Sequence, residues 1–141
     1  MDKIFIDTDV FLDVFAKREP FYYDSAKLLS EVENKKARGY TSSLVFANIH
    51  YILRKLKSKS YALQTLRKIR IIIDVLSVSD KHIDQALNSE FSDFEDAIQY
   101  YSAKSQKINF IITRNKKHYK QSVITVCTPK EYLAILSAKE G

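Results

Sequence analysis

The chain has 141 residues, with 23 Lys and Arg against 17 Asp and Glu, three His, one Cys, no Trp and 45% apolar residues. A chain of that length buries roughly two-thirds of its unfolded surface in one core, so a single domain over residues 1–141 is expected, with no structural zinc and no internal disulfide for the lone Cys127, which reads as a small buried apolar residue of a strand. No apolar run approaches the roughly 18 residues of a membrane span, and Asp2, Asp7, Asp9 and Asp13 interrupt the stretch where a secretory signal is apolar, which points to a reducing, cytoplasmic setting.

Lys3–Ile6 is β-prone and ends at Asp7, and Val10–Phe15 starts a helix that Arg18-Glu19-Pro20 breaks. Tyr22–Glu33 is helical, with Ala26, Leu29 and Val32 on one stripe. Tyr40–Ser42 is a short strand, and Ser42 or Ser43 caps a helix on which Leu44, Ala47, Tyr51 and Leu56 follow helical spacing. A helix over Tyr61–Arg70 precedes Ile71–Val78, a β-branched run of the kind found in strands covered on both faces. Ser79 caps a helix through Leu87, and Ser92-Asp93-Phe94-Glu95 has the form of a capping box opening a helix through Ser105. Asn109–Thr113 is a strand, Arg114–Lys117 a basic turn, Val123–Cys127 the last strand, and Thr128-Pro129-Lys130-Glu131 a second box that starts the terminal helix. Such alternation predicts a three-layer α/β/α sandwich, with helices on both faces of a mostly parallel central sheet of four to five strands.

Charge is local. Arg54, Lys55, Lys57, Lys59, Arg67, Lys68 and Arg70 lie in one stretch without an acid, and the rest of the chain balances at 16 basic against 17 acidic residues. A basic segment of this kind is either a solvated helical face or a surface for polyanions, where displaced counterions supply affinity.

In parallel sheets the chemistry collects at the carboxyl ends of the strands. Asp7, the Thr41–Ser43 segment and Thr113–Asn115 end three of the expected strands, and Asp93, Glu95 and Asp96 open the helix that leads into one of them. Glu95 completes the box begun by Ser92, and Asp93 suits the helix dipole. Asp96 then falls at the fourth helical position, where an apolar residue usually packs back towards Phe91, and Asp7 follows three apolar residues; both break a local rule. Carboxylates gathered this way repel and lose hydration unless a cation sits among them, and Mg²⁺ or Mn²⁺ acting on a phosphodiester suits both the acids and the basic segment.

Four segments in this order resemble the PIN domain family, and its small VapC-like toxins in particular: Ile4-Phe-Ile-Asp7-Thr8-Asp9-Val10-Phe-Leu-Asp13, Ser42-Ser-Leu-Val-Phe-Ala-Asn48, Asp93-Phe-Glu-Asp96-Ala97 and Ile111-Ile-Thr113-Arg114-Asn115. The resemblance implies Mg²⁺- or Mn²⁺-dependent cleavage of RNA, an antitoxin partner and a homodimer. Asp7 matches the first acidic position and Asp96 the third, whereas the second falls at Asn48 and the fourth at Asn115. Asp93 or Asp9 is available to restore a carboxylate to the ion, and Thr113 to orient one. Arg114, Lys116 and Lys117, with Arg54 and Lys55, are the expected RNA contacts; His118 is a candidate proton shuttle or an idle turn residue, and His50 and His82 have no role. Tyr100, Tyr101, Tyr119 and Phe94 are candidates either for stacking bases or for core and interface.

Asn48 and Asn115 keep a second reading open, that of a PIN scaffold binding RNA or a protein without turnover. A phosphotransferase of the haloacid dehalogenase type shares Asp7-Thr8-Asp9, but has no counterpart for Phe11 and needs a cap the chain has no room for; a receiver domain lacks its late-strand Lys.

Overall fold

The computed structural model describes residues 1–140. Its elements, in chain order, are β1 (Lys3–Ile6), α1 (Thr8–Phe15), α2 (Tyr22–Glu33), β2 (Arg38–Ser42), α3 (Ser43–Leu56), α4 (Lys59–Ile72), β3 (Ile73–Leu76), α5 (Asp80–Leu87), α6 (Phe94–Ser105), β4 (Phe110–Ile112), a 3₁₀ turn (Lys116–Tyr119), β5 (Thr125–Cys127) and α7 (Pro129–Glu140). The five strands form one sheet in the order β3-β2-β1-β4-β5, and every pairing is parallel. Helices cover both faces, as the strand–helix alternation requires, with α1 packed on α2 and α3, α2 on α7, α3 on α4, and α5 on α6.

Topology places the site. From β1 the chain steps outward to β2 and β3, then α5 and α6 carry it back across to β4 on the other flank of β1. Strand order therefore reverses at β1, and the carboxyl ends of β1 and β4 splay apart at the switch point of the sheet. Ile4, Phe5, Ile6, Ile111 and Ile112 are fully buried beneath that point, so the backbone that carries Asp7 and Thr113 rests on close-packed core.

Several local expectations change. The run from Ile71 splits: Ile71 and Ile72 finish α4, Ile71 is 83% exposed, and β3 is an edge strand with Val75 open to solvent. Asp74, in the middle of that run, faces Arg38 of β2 at 2.9 Å, a charged pairing that suits an edge. On α3 the buried stripe is Val45, Ile49 and Leu53, while Ala47, Tyr51 and Leu56 of the expected stripe are exposed. On α2 the core face is Ser25, Leu28, Leu29 and Val32.

Helix caps follow the sequence more closely. Ser42 accepts from the Val45 amide, and Thr128 and Glu131 exchange the reciprocal bonds of the box that opens α7. The box at Ser92 does not form. Asp93 is the cap instead, its carboxylate accepting from the Asp96 amide at 2.9 Å, which moves Asp96 to the third helical position. His82 also gains a function, its Nδ1 accepting from the Ser79 amide at the start of α5.

Candidate active site

Asp7 leaves β1 as the cap of α1: Oδ1 accepts from the Thr8 amide at 2.8 Å, and Oδ2 faces the Thr113 hydroxyl at 3.1 Å and the Tyr119 hydroxyl at 3.4 Å. Asp96 reaches the same place from α6, its Oδ1 3.4 Å from the Tyr119 hydroxyl and its Oδ2 3.4 Å from His118 Nδ1. One tyrosine hydroxyl thus stands between two carboxylates and has a single hydrogen to share. Tyr119 is 2% exposed, and Gln99, itself held by Ser42, also reaches its hydroxyl.

Asp9 forms the third corner. Its Oδ2 accepts from the Arg114 amide at 2.9 Å and the Asn115 side chain at 3.2 Å, whereas its Oδ1 is buried without any hydrogen-bond partner. Such an orphaned carboxylate oxygen is costly unless something electropositive meets it. The electrostatics agree. Burial first, and then the charge of Asp9, push the Asp7 carboxyl up to about 7. Burial followed by the charge of Asp93 pushes Asp96 up to about 6, and burial also raises Asp9.

Among the described residues no three His, Cys, Asp or Glu side chains stand ready as a complete metal cage. The donor set nevertheless fits a hard divalent cation that keeps several waters and takes one or two carboxylates: Asp7 and Asp96 would be its ligands, with Asp9, which keeps one oxygen unpartnered, adding its charge beside Asp7. Asp93, expected as a ligand, is an exposed cap that reaches this centre only through its field on Asp96; Asp9 is the acid that joins the cluster.

The two asparagines are both committed. Asn48 donates to the Glu95 carboxylate, tying α3 to α6 beside Asp96, and Asn115 donates to Asp9. Thr113 holds Asp7 and is within reach of Asp9 at 3.4 Å.

The expected RNA contacts divide. Arg114 turns away from the carboxylate centre: its guanidinium makes bonds of 2.9 and 2.8 Å to the two oxygens of Asp13, which is fully buried and also accepts from Ser25, and its face lies 3.8 Å from the Phe21 ring centroid. A guanidinium neutralised in this way is not a phosphate grip. Lys116 pairs with Glu131 at 3.0 Å, and Lys117 is exposed. Arg54 and Lys55 lie at the far end of α3, about 18 Å along the axis from Ser42, because each helical residue advances about 1.5 Å. Lys55 there covers the Tyr51 ring.

A model of the PIN domain matches residues 3–117. The chain belongs to the PIN domain family. Ribonuclease VapC1 of Aquifex aeolicus is 26% identical to this PIN protein over 136 residues, spanning 93% of each chain. Two solved structures share the fold. The Rickettsia felis VapBC2 assembly, bound to a fragment of promoter DNA, superposes with a TM-score of 0.66 at 19% identity, covering 89% of this chain and 96% of that one. Mycobacterium tuberculosis VapC20, a toxin that cleaves the sarcin–ricin loop, superposes with a TM-score of 0.61 at 18% identity over 77% of this chain and 86% of that one.

Within the PIN fold, Gln99 is a site residue that the sequence analysis does not single out, and Tyr119 is the core residue it allows, with a further part to play. Gln99 is three residues beyond Asp96 on the buried face of α6, a polar residue on an apolar stripe and so a legible signal. Tyr119 carried no such mark. Its ring is in the core, and only the 3₁₀ turn brings its hydroxyl between the two acids. Tyr100 is buried too, which leaves Phe94 as the exposed aromatic of that group.

Proposed function

We propose that this PIN domain is a divalent-metal-dependent endoribonuclease of the toxin type, a single catalytic domain that acts in the cytoplasm. The observation that carries this reading is the placement of Asp7 and Asp96, both buried and both raised, on either side of one hydroxyl at the switch point, with Asp9, which keeps one oxygen unpartnered, adding its charge beside Asp7.

Bound Mg²⁺ or Mn²⁺ supplies charge neutralisation on a phosphodiester and an acidified water. Asp7 and Asp96 hold the ion, and Thr113 and Tyr119 fix the angles at which their oxygens point. The Asn115 amide and the Arg114 backbone keep Asp9 turned inward, so its charge adds to the field. His118, beside Asp96 at the mouth of the cleft, is placed to pass a proton to the departing oxygen. Lys117 draws the backbone of a single strand towards the acids.

Asn48 and Asn115, neutral where the family has acids, are what a scaffold without turnover would rest on. Their hydrogen bonds support catalysis instead, since each amide fixes a neighbouring carboxylate rather than leaving a gap. The likeness to VapC1 and to VapBC assemblies supports an antitoxin as partner. The exposed Ile83, Leu87 and Phe94 of α5 and α6 support a homodimer, which sedimentation would read directly. No helix among the described residues is long and apolar enough to cross a membrane.

The deciding experiment is a cleavage assay on RNA with Mn²⁺, comparing the wild-type protein with Asp96→Asn. Cleavage lost in the variant and in chelator is the expected result, and equal cleavage by both proteins overturns the reading.

A further inference from the structure

Beside the carboxylate cleft, and sharing Arg114 with it, lies a second cleft of about 520 Å³ with Pro20, Phe21 and Pro129 as apolar walls. Asp24 and Lys130 also line it. Three features define what it can hold. Its flat surfaces suit a planar ring: Phe21 is 40% exposed, and the Arg114 plane is locked against it by the bidentate bond to Asp13, so the platform carries a π face and almost no net charge. Of its polar lining, the Ser25 hydroxyl is committed to Asp13 and the Thr128 hydroxyl oxygen to the Glu131 amide, whereas the Asp24 carboxylate has no hydrogen-bond or ion-pair partner among the described residues and acts purely as an acceptor. Its position is set by the backbone, because the Arg114 amide holds Asp9 while the Arg114 side chain reaches the cleft, placing the two sites one residue apart on the same rim of the sheet.

We propose that this cleft is a nucleobase subsite that takes a guanine flanking the scissile phosphate, stacked on the Phe21–Arg114 platform with its Watson–Crick edge against Asp24. Guanine presents two adjacent donors, the ring N–H and the exocyclic amine, and so matches both oxygens of a carboxylate; adenine and cytosine offer one amine beside an acceptor, and uracil one N–H between two carbonyls. Lys130 at the edge faces the phosphate of that nucleotide. The subsite rests on the ribonuclease reading for its substrate, but binding reads it without turnover.

The test measures anisotropy of labelled, uridine-rich octamers containing one guanosine, adenosine or inosine, with wild-type protein in chelator so that nothing is cut. Guanosine is expected to bind about tenfold tighter than adenosine or inosine. Asp24→Asn and Phe21→Leu, the latter keeping the apolar volume, should each bring that preference within twofold while leaving all-uridine RNA unaffected. Titration with GMP should shift the Phe21 ring resonances. Equal binding of all octamers by the wild type, a preference that survives in both variants, or unmoved Phe21 resonances overturns the subsite. Metal-dependent cleavage without guanosine preference overturns the subsite alone, and absence of any RNA binding or cleavage removes the ribonuclease reading with it. Displacement of bound octamer by a peptide that occupies the cleft, with no effect of GMP, assigns the cleft to a protein partner and also overturns the proposal.

Discussion

Asp9 and Asp13 stand one turn apart on α1 and both reach Arg114, yet they end in opposite electrostatic states. Asp13 is wholly buried and meets a guanidinium with both oxygens and the Ser25 hydroxyl with one. Asp9 meets a backbone amide, a side-chain amide and a hydroxyl, keeps one oxygen bare, and shares its surroundings with Asp7 and Asp96. Burial alone therefore does not set what a carboxylate still needs. The charge of its donors does, because a neutral shell leaves a carboxylate wanting a cation and a guanidinium does not.

That contrast makes predictions of opposite sign. Replacing Asp13 by Asn strands the Arg114 guanidinium beside an amide and should destabilise the protein by about 3–5 kcal/mol in urea denaturation; a loss below 1 kcal/mol would mean that the pair is not a structural anchor. Asp7→Asn should do the reverse. A carboxyl that titrates near 7 when folded, against an ordinary 3.8, binds its proton more tightly in the native state. Its contribution favours folding below about pH 4 and is lost as the pH rises through 7. Metal-free Asp7→Asn should thus be more stable than the wild type at pH 8 by about 4 kcal/mol and nearly equal to it at pH 4, while losing RNA cleavage. A variant less stable than the wild type at pH 8 breaks the comparison.

Smaller effects sharpen it. Mn²⁺ at about ten times its dissociation constant should stabilise the wild type by about 1.4 kcal/mol in a thermal melt. The gain should shrink at pH 5, where protons compete for Asp7 and Asp96, and vanish in Asp7→Asn. Smallest of all, Lys117→Gln should reduce the salt slope of single-strand binding by about 0.7. Arg54→Gln together with Lys55→Gln, at the remote end of α3, should change cleavage less than twofold, and a larger change would extend the RNA path along that helix.

Much of this was legible in advance. The alternation of elements specified a parallel sheet, and Asp7, Asp96, Thr113 and Asn115 all arrive at one rim because each follows or opens an element whose end the sheet gathers there. What was not legible depended on competition between neighbours. Ser92 and Asp93 are both good caps, and only the chain path shows that Asp93 takes the amide of Asp96. Arg114 looked like a phosphate contact until Asp13, 101 positions away in sequence, claimed its guanidinium. The Ile71–Val78 run misled because apolar density does not separate an edge strand with a helix end from a covered strand.

Arg114 fastens two things at once: its amide sets the orientation of Asp9, and its side chain clamps Asp13 one turn further along the same helix. The segment after β4 is thereby riveted to α1 at two levels, so it has no hinge about which to swing. The Arg114 amide should then be among the slowest to exchange with deuterated solvent. Antagonists of such an enzyme have to fit a mouth of fixed shape, which favours a stiff ligand over one that relies on the protein folding around it.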